Sequence, residues 1–157
     1  MISDGQNEER PSGTAFGVLV HALLAQAPLD ADRARLLSLA ATEARVLGMT
    51  ERDSHAAVAV AERVLAHELL IRAREADRRG ACRRETPVTY TMPDGVLVEG
   101  TIDLAFEERG TWTVIDYKTD RELALTGEET YHRQISLYAS AIARATGKPA
   151  TPILVRV

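Results

Sequence analysis

Two aspartates and a lysine interrupt a stretch that otherwise has the pattern of two β-strands. The stretch GTIDLAFEERGTWTVIDYKTD, residues 100–120, places mainly apolar and β-branched residues on either side of a central Arg-Gly pair, which favours a β-hairpin. Asp103 lies in the first predicted strand, and Asp116 and Lys118 lie in the second. A sheet held together by packing alone would favour Val or Ile at such positions. The three charged side chains therefore point to chemistry.

The hairpin register decides whether the two aspartates meet. If the Arg-Gly pair at 109–110 forms a two-residue turn, Asp103 lies directly opposite Asp116, and both side chains project from the same face. A three-residue loop without a bulge would instead place them on opposite faces. Because Gly110 suits the tight turn, we expect the first register. Asp116 and Lys118 share a face in either case, since side chains alternate along a strand.

Two carboxylates opposed across a sheet repel each other unless a positive charge lies between them. A divalent cation is the simplest candidate, because two carboxylates and a nearby backbone carbonyl form a hard oxygen site suited to Mg²⁺ or Mn²⁺. Lys118 could then polarise a phosphate oxygen or orient an attacking water, which is the chemistry of phosphodiester hydrolysis. The alternative is that all three are solvated surface charges, because a D-x-K triplet is common.

The composition indicates one globular domain. The chain has 157 residues, of which 45% are hydrophobic and 27% are charged, and no apolar run is long enough to span a membrane. The net charge of −4 means that contact with nucleic acid would need a local basic patch. The single cysteine, Cys82, allows neither an internal disulfide nor a cysteine-rich metal cluster, and we expect a reducing, cytoplasmic location.

The predicted elements give a mixed α/β (α+β) fold in which a small central sheet is flanked by helices, with a helical N-terminal half. Residues 1–12 are polar and acidic, and we expect a disordered lead-in there or a boundary. Apolar periodicity predicts helices over residues 16–27, 30–47 and about 50–79. The second half predicts strands over 85–92, 96–108, 111–119 and 152–157, a polar loop DRELALTGEE after residue 119, and a helix over 128–146.

Four motifs, in this order, resemble those of the RecB-type nucleases of the PD-(D/E)xK superfamily, especially the domain at the C-terminus of AddA/RecB-like, UvrD-type helicases. They are GVLVHALL with His21, GTIDLAF with Asp103, VIDYKTD with Asp116 and Lys118, and YHRQISLYASAI with Gln134 and Tyr138. The resemblance spans about residues 13–147. It implies a restriction-endonuclease-like core and a nuclease domain over 13–157, helical over 13–80 and carrying the catalytic sheet and helix over 85–157.

The resemblance also implies roles for individual residues. The implied metal ligands are the side chains of His21, Asp103 and Asp116 and the carbonyl oxygen of Tyr117. Lys118 would be the catalytic lysine. The alternative for His21 is a packed core histidine, since Val20, Leu23 and Leu24 surround it in the sequence.

Gln134 and Tyr138 are four residues apart and share one helix face, which the resemblance places beside the active site and DNA. Packing alone is the alternative for Tyr138. Glu85 falls where the family often has an acidic residue in the first strand, and its role stays open.

Two departures narrow the resemblance. AddB-like relatives use four cysteines to bind an iron–sulfur cluster, so this chain sides with the cluster-free AddA/RecB-like branch. No P-loop G-x-x-x-x-G-K-[ST] is present, so we expect any helicase motor in the same parent chain or complex, unless the protein is a stand-alone nuclease. The implied activity is Mg²⁺- or Mn²⁺-dependent cleavage of DNA during double-strand-break repair. The alternatives are a catalytically silent DNA-binding or scaffolding domain and a different metal-dependent phosphohydrolase.

A basic stretch precedes the predicted sheet. IRAREADRRGACRR, residues 71–84, carries six arginines and two acidic residues in an otherwise acidic chain. We expect a phosphate-contacting ridge formed by Arg78, Arg79, Arg83 and Arg84, which would bind DNA without sequence preference. The alternative is a solvated helix face with intrahelical ion pairs.

Overall fold

The computed structural model describes residues 13–157, so the predicted lead-in at residues 1–12 lies outside the described residues. The helices are α1 (Thr14–Gln26), α2 (Arg33–Leu47), α3 (Glu51–Leu65), α4 (Glu68–Arg78), α5 (Asp120–Thr126) and α6 (Glu128–Thr146). The strands are β1 (Cys82–Thr91), β2 (Leu97–Glu108), β3 (Thr111–Lys118) and β4 (Ala150–Arg156). The predicted mixed α/β architecture, with helices before the sheet, is confirmed.

The helical half contains four helices where the sequence predicted three. The interval from about 50 to 79 is interrupted after Leu65, and the ring nitrogen Nδ1 of His67 accepts a hydrogen bond from the Leu69 N–H at 3.2 Å to begin α4. The expectation of one continuous helix was therefore wrong. At the start of α3, Thr50 and Asp53 form a reciprocal capping box, which fixes where that helix begins.

The four strands form one sheet in the order β1-β2-β3-β4. The first three are antiparallel, and β4 runs parallel to β3. Glu108 pairs with Thr111 across a two-residue turn, in which Arg109 has φ 50° and Gly110 has φ 77°. Two positive φ values are the signature of a tight hairpin turn, so the expected turn and register are confirmed.

The sheet forks on one side of this hairpin. Pairing between β2 and β3 ends at Leu104↔Ile115. Beyond that point β2 continues to pair with β1 as far as Thr91↔Leu97, whereas β3 continues to pair with β4 as far as Lys118↔Arg156. The two halves of the sheet therefore separate where Asp103, Asp116 and Lys118 occur, and we call this place the fork.

Two apolar clusters hold the helices on opposite faces of the sheet. The larger cluster joins α1–α4 to one face through side chains such as Leu23, Val58, Phe106 and Ile115. The smaller cluster joins α6 to the other face through Val114, Ile135 and Tyr138, among others. No helix among residues 13–157 is long and apolar enough to cross a bilayer.

The segment predicted as a polar loop after β3 contains the short helix α5, so that prediction was wrong. The hydroxyl of Thr119 accepts a hydrogen bond from the Glu122 N–H, and the Glu122 carboxylate accepts one from the Thr119 N–H. This reciprocal cap starts a helix immediately after β3. The following helix agrees with the prediction and ends at Gly147, which has φ 68°.

Candidate active site

Asp103, Asp116 and Lys118 lie together at the fork. Continuing the β2–β3 register by one residue beyond Leu104↔Ile115 brings Asp103 opposite Asp116. The Asp103 carboxylate accepts a hydrogen bond from the backbone N–H of Tyr117 at 2.7 Å. The Nζ atom of Lys118 lies 3.0 Å from Oδ2 of Asp116. A side-chain hydrogen bond therefore stands where the next backbone ladder bond would be, which holds the carboxylate at the point of separation.

Burial sets the charge states of this group. Asp116 is only 6% exposed. Burial, together with the neighbouring Asp116 carboxylate, raises the pKa of Asp103 to about 8. Burial alone would lower the pKa of Lys118, but the Asp116 carboxylate outweighs it and the net pKa is raised. One ammonium is thus shared by two carboxylates, and the site holds both carboxylates ionised at neutral pH only if further positive charge enters.

Helix α1 brings His21 to the same place from more than a hundred residues away in the sequence. Its Nε2 atom lies 3.2 Å from Oε2 of Glu122 on α5. Burial opposes ionisation of Glu122, but hydrogen bonds from the Thr119 N–H and from His21 lower its pKa overall. Glu122 is a site residue that the sequence prediction missed, although the T-x-x-E capping pattern that positions it was visible.

Helix α6 contributes Gln134 and Tyr138. The Nε2 atom of Gln134 donates a hydrogen bond to the Tyr138 hydroxyl at 2.9 Å. Burial and the charge of Asp116 raise the pKa of Tyr138. The ring lies directly over Gly100, where an added Cβ would stand 1.9 Å from the hydroxyl oxygen and 2.4 Å from Cζ. Only glycine at this position of β2 allows α6 to approach so closely.

A cavity of about 510 Å³ joins these groups. The residues proposed from the sequence that line it are His21, Glu85, Asp103, Asp116, Lys118, Gln134 and Tyr138. Arg121 of α5 also lines it, and this exposed guanidinium was not predicted. Val18 and Leu125, which are 46% and 71% exposed, lie on α1 and α5 at its wall. The Tyr117 side chain packs in the larger apolar cluster, so only its backbone is available to the site.

Glu85 occupies a strained position beside Asp103. It lies in β1 between the pairs Arg84↔Leu104 and Thr86↔Ile102, which places it opposite Asp103. Its φ is 45°, in the left-handed region that a residue with a Cβ adopts only at a cost of about 1–2 kcal/mol. Strain of this kind persists where the surrounding structure enforces it, and it often occurs at functional sites. The position, although not the role, agrees with the expectation from the sequence.

The four arginines proposed to contact DNA are engaged elsewhere. Arg78 pairs with Glu75 at 2.7 Å, and Arg79 donates to the Glu107 carbonyl at 3.4 Å. Arg83 donates to the carbonyls of Gly80 and Cys82, and Arg84 donates to the carbonyl of Leu24 in α1. Among the described residues that line the cavity, none of these four occurs. Their contact with DNA stays a prediction.

The side chains at the fork fit the implied metal in part. Within residues 13–157, no group of three or more His, Cys, Asp or Glu side chains is arranged to hold a metal ion. His21 is turned to Glu122 and not to the aspartates. Asp103 and Asp116 nevertheless provide two buried carboxylates whose repulsion a divalent cation would relieve, as the raised pKa of Asp103 indicates. The carboxylate chemistry thus fits such a cation, and the histidine would have to reorient to join it.

The chain is also similar in sequence to known proteins. Residues 3–157 match the model of the PD-(D/E)XK nuclease superfamily. Three relatives, each named as the first of the subunits of an ATP-dependent helicase/nuclease, come from Listeria monocytogenes serotype 4a, Listeria innocua serovar 6a and Desulforudis audaxviator. They are 34% identical over 91 residues, 28% over 165 and 32% over 154, which cover 45%, 86% and 83% of this chain.

Those matches span only 7%, 13% and 12% of the relatives' own lengths. The similarity therefore concerns a small part of each relative, whereas the family match covers nearly the whole of this chain. Together with the mixed sheet, the fork and the ordered motifs, that match confirms the resemblance found in the sequence. The chain belongs to the PD-(D/E)XK nuclease superfamily.

Proposed function

We propose that residues 13–157 form the nuclease domain of a helicase–nuclease and hydrolyse phosphodiester bonds of DNA with the help of Mg²⁺, for which Mn²⁺ can substitute. The observation that carries the proposal is the meeting of Asp103, Asp116 and Lys118 at the fork, inside a cavity that His21 also lines. The name that the relatives share supports a helicase motor as partner. Work at DNA breaks in the cytoplasm is part of the same proposal.

In this proposal Asp103 and Asp116 hold the divalent cation, with the Tyr117 carbonyl and a reoriented His21 as further ligands. The bound cation would neutralise charge that develops on the scissile phosphate and favour deprotonation of water. Lys118 donates from its ammonium to a non-bridging phosphate oxygen. Gln134 and Tyr138 position the strand through their polar atoms, since both residues line the cavity.

Arg121 is the candidate for the first phosphate contact outside the metal site. It is exposed, it lines the cavity, and no ion pair with another described residue engages it. A free guanidinium at the cavity binds a phosphate in either DNA strand without reading the sequence. This assignment would shift the phosphate-binding surface from the arginines before β1 to helix α5.

A catalytically silent DNA-binding or scaffolding domain is the second candidate. One observation favours it: within the described residues, the possible ligands do not form a ready group of three. Under this hypothesis the ion pair of Asp116 with Lys118 would be purely structural, and the domain would bind DNA without cutting it.

Cleavage of linear single- and double-stranded DNA with Mg²⁺ or Mn²⁺ separates the two candidates. The variants are Asp116→Asn and Lys118→Ala, with Asp120→Asn as the matched control, because Asp120 is exposed on α5 and pairs with Arg156 at 3.7 Å. We expect wild type and the control to cut and both site variants to fail. Binding of Mn²⁺, measured by calorimetry without DNA, decides the remaining cases.

If Mn²⁺ binds in an Asp116-dependent way and no DNA is cut, the site is competent and requires its motor or another partner. If neither binding nor cleavage is found, the scaffolding hypothesis stands. Cleavage that survives Asp116→Asn would show that the nuclease site lies elsewhere.

A further inference from the structure

The amine of Lys118 has a second contact besides Asp116. Its Nζ atom lies 4.7 Å from the centroid of the Tyr131 ring, in the first turns of α6. The lysine side chain is only 13% exposed. An ammonium at this distance over an aromatic face is attracted by the negative potential of the ring. The amine therefore lies between a carboxylate and an aromatic face.

Tyr131 is itself fixed at both ends. Its backbone belongs to α6, and its hydroxyl donates a hydrogen bond at 3.2 Å to the hydroxyl of Thr126, the last residue of α5. Because α5 and α6 are separated only by Gly127, this bond spans the corner between them. The ring thus has a defined position relative to the end of β3, from which Lys118 projects.

We infer that Tyr131 is a positioning residue that holds the Lys118 ammonium at the fork through its ring face. Tyr131 is not among the described residues that line the cavity, so it acts through the lysine and does not itself contact the substrate. The inference rests on the nuclease function proposed above and adds to it a residue for which the sequence motif gave no role.

A lysine side chain has four rotatable bonds, and it loses considerable rotamer freedom when it is held in one place. The Asp116 carboxylate alone is a poor anchor in the proposed mechanism, because that carboxylate is also to bind the cation. An aromatic face keeps attracting the ammonium when the carboxylate is engaged elsewhere, and it does not remove the amine's proton. The ring therefore keeps the amine charged and near the phosphate site.

The chain offers an unusually clear test, since it contains only two lysines, Lys118 and Lys148. In protein labelled with ¹³C,¹⁵N-lysine, each methylene carbon of the side chain gives two sets of signals, and the variant Lys148→Arg assigns them. Protons over an aromatic face are shielded, so we expect the ε-methylene of Lys118 to appear upfield of that of Lys148. Lys148 pairs with Glu107 away from the cavity and serves as the internal reference.

Tyr131→Phe keeps the ring and loses the hydroxyl, whereas Tyr131→Leu keeps an apolar side chain without a ring. We expect the shielding to persist in the Phe variant and to vanish in the Leu variant. Tyr90→Leu is the matched control, because Tyr90 makes a similar contact with Arg144, at 5.0 Å, outside the cavity. It should leave both lysine signals unchanged. Urea unfolding of each variant identifies any that fails to fold.

The kinetic part compares kcat and KM for DNA cleavage. We expect Tyr131→Leu to lower kcat roughly ten-fold with KM nearly unchanged, and Tyr131→Phe to restore most of kcat. A role in packing alone would affect unfolding and leave the lysine signals and the kcat difference between Phe and Leu small.

The spectra need neither metal nor DNA, so they remain decisive if wild type proves inactive and the proposed function fails. The inference is overturned if Lys118 is not shielded in wild type, or if folded Tyr131→Leu keeps the shielding. It is also overturned if the shielding is lost while an active enzyme keeps its full kcat.

Discussion

Replacing Gly100 by alanine should disrupt the contact between β2 and α6. The new Cβ would lie 1.9 Å from the Tyr138 hydroxyl, whereas real Cβ atoms essentially never come within 3.0 Å of a neighbour, so the ring must move by at least 1.1 Å. Overpacking of this kind costs about 1–3 kcal/mol. The displaced hydroxyl also loses its hydrogen bond from Gln134, which adds about 1 kcal/mol.

We therefore expect Gly100→Ala to lower the free energy of unfolding by about 2–4 kcal/mol, measured by urea titration followed by circular dichroism. Gly17→Ala is the matched control within α1. There the added Cβ would meet Thr119 at an ordinary 3.6 Å, and alanine is favoured over glycine in a helix by about 1 kcal/mol. That variant should be as stable as wild type or more stable.

A double-mutant cycle identifies the cause. In a Tyr138→Ala background the ring is gone, so adding Gly100→Ala should cost less than about 0.5 kcal/mol. Tyr138→Phe should not relieve the clash, because Cζ lies 2.4 Å from the added Cβ. The reasoning fails if Gly100→Ala is as stable as wild type, or if its penalty is the same with and without the ring.

Three further outcomes follow from the site. In EDTA, the stability of wild type should fall as the pH rises from about 4 to 8, because unfolding releases a carboxyl whose pKa burial and Asp116 raise from 3.8 to about 8, and Asp103→Asn should be more stable at pH 8 by about 2–4 kcal/mol; urea titrations across this range would contradict this by showing parallel curves. Arg121→Ala should weaken DNA binding and lower the salt slope by about 1, measured by anisotropy, whereas Arg133→Ala, which removes a pair with Glu129 outside the cavity, should not. The buried Cys82 thiol, whose pKa burial raises to about 11, should react with a disulfide reagent only after unfolding in urea, and rapid reaction of the folded protein would contradict that.

Local rules predicted much of the sheet and of the site. A glycine at position 110 and alternation along two strands were enough to place Asp103 opposite Asp116 and to put Lys118 on the same face. Where prediction failed, the local signal was weak or ambiguous. The break before His67 contains neither glycine nor proline, and α5 was hidden by its polar residues although Thr119 and Glu122 formed a visible capping pattern.

Contacts between distant segments were beyond local rules. The His21–Glu122 contact joins residues 101 positions apart, and no periodicity in either helix specifies it. The place of Tyr131 beside Lys118 depends likewise on how the corner between α5 and α6 packs against β3. The fork itself arises because β2 and β3 choose different partners, which the pattern within either strand does not record.

The cavity draws its lining from Gly13 near one end of the chain and from Tyr138 near the other. During synthesis from the N-terminus, the acidic and basic groups of the fork emerge before the helix that covers them. Contacts over such sequence distances form late and together, since their loop-closure entropy must be overcome first. Partial chains that end before α6 would carry the charged residues without an enclosed site. Any cutting activity would thus appear only with the finished fold, which protects the cell's nucleic acids from incomplete chains.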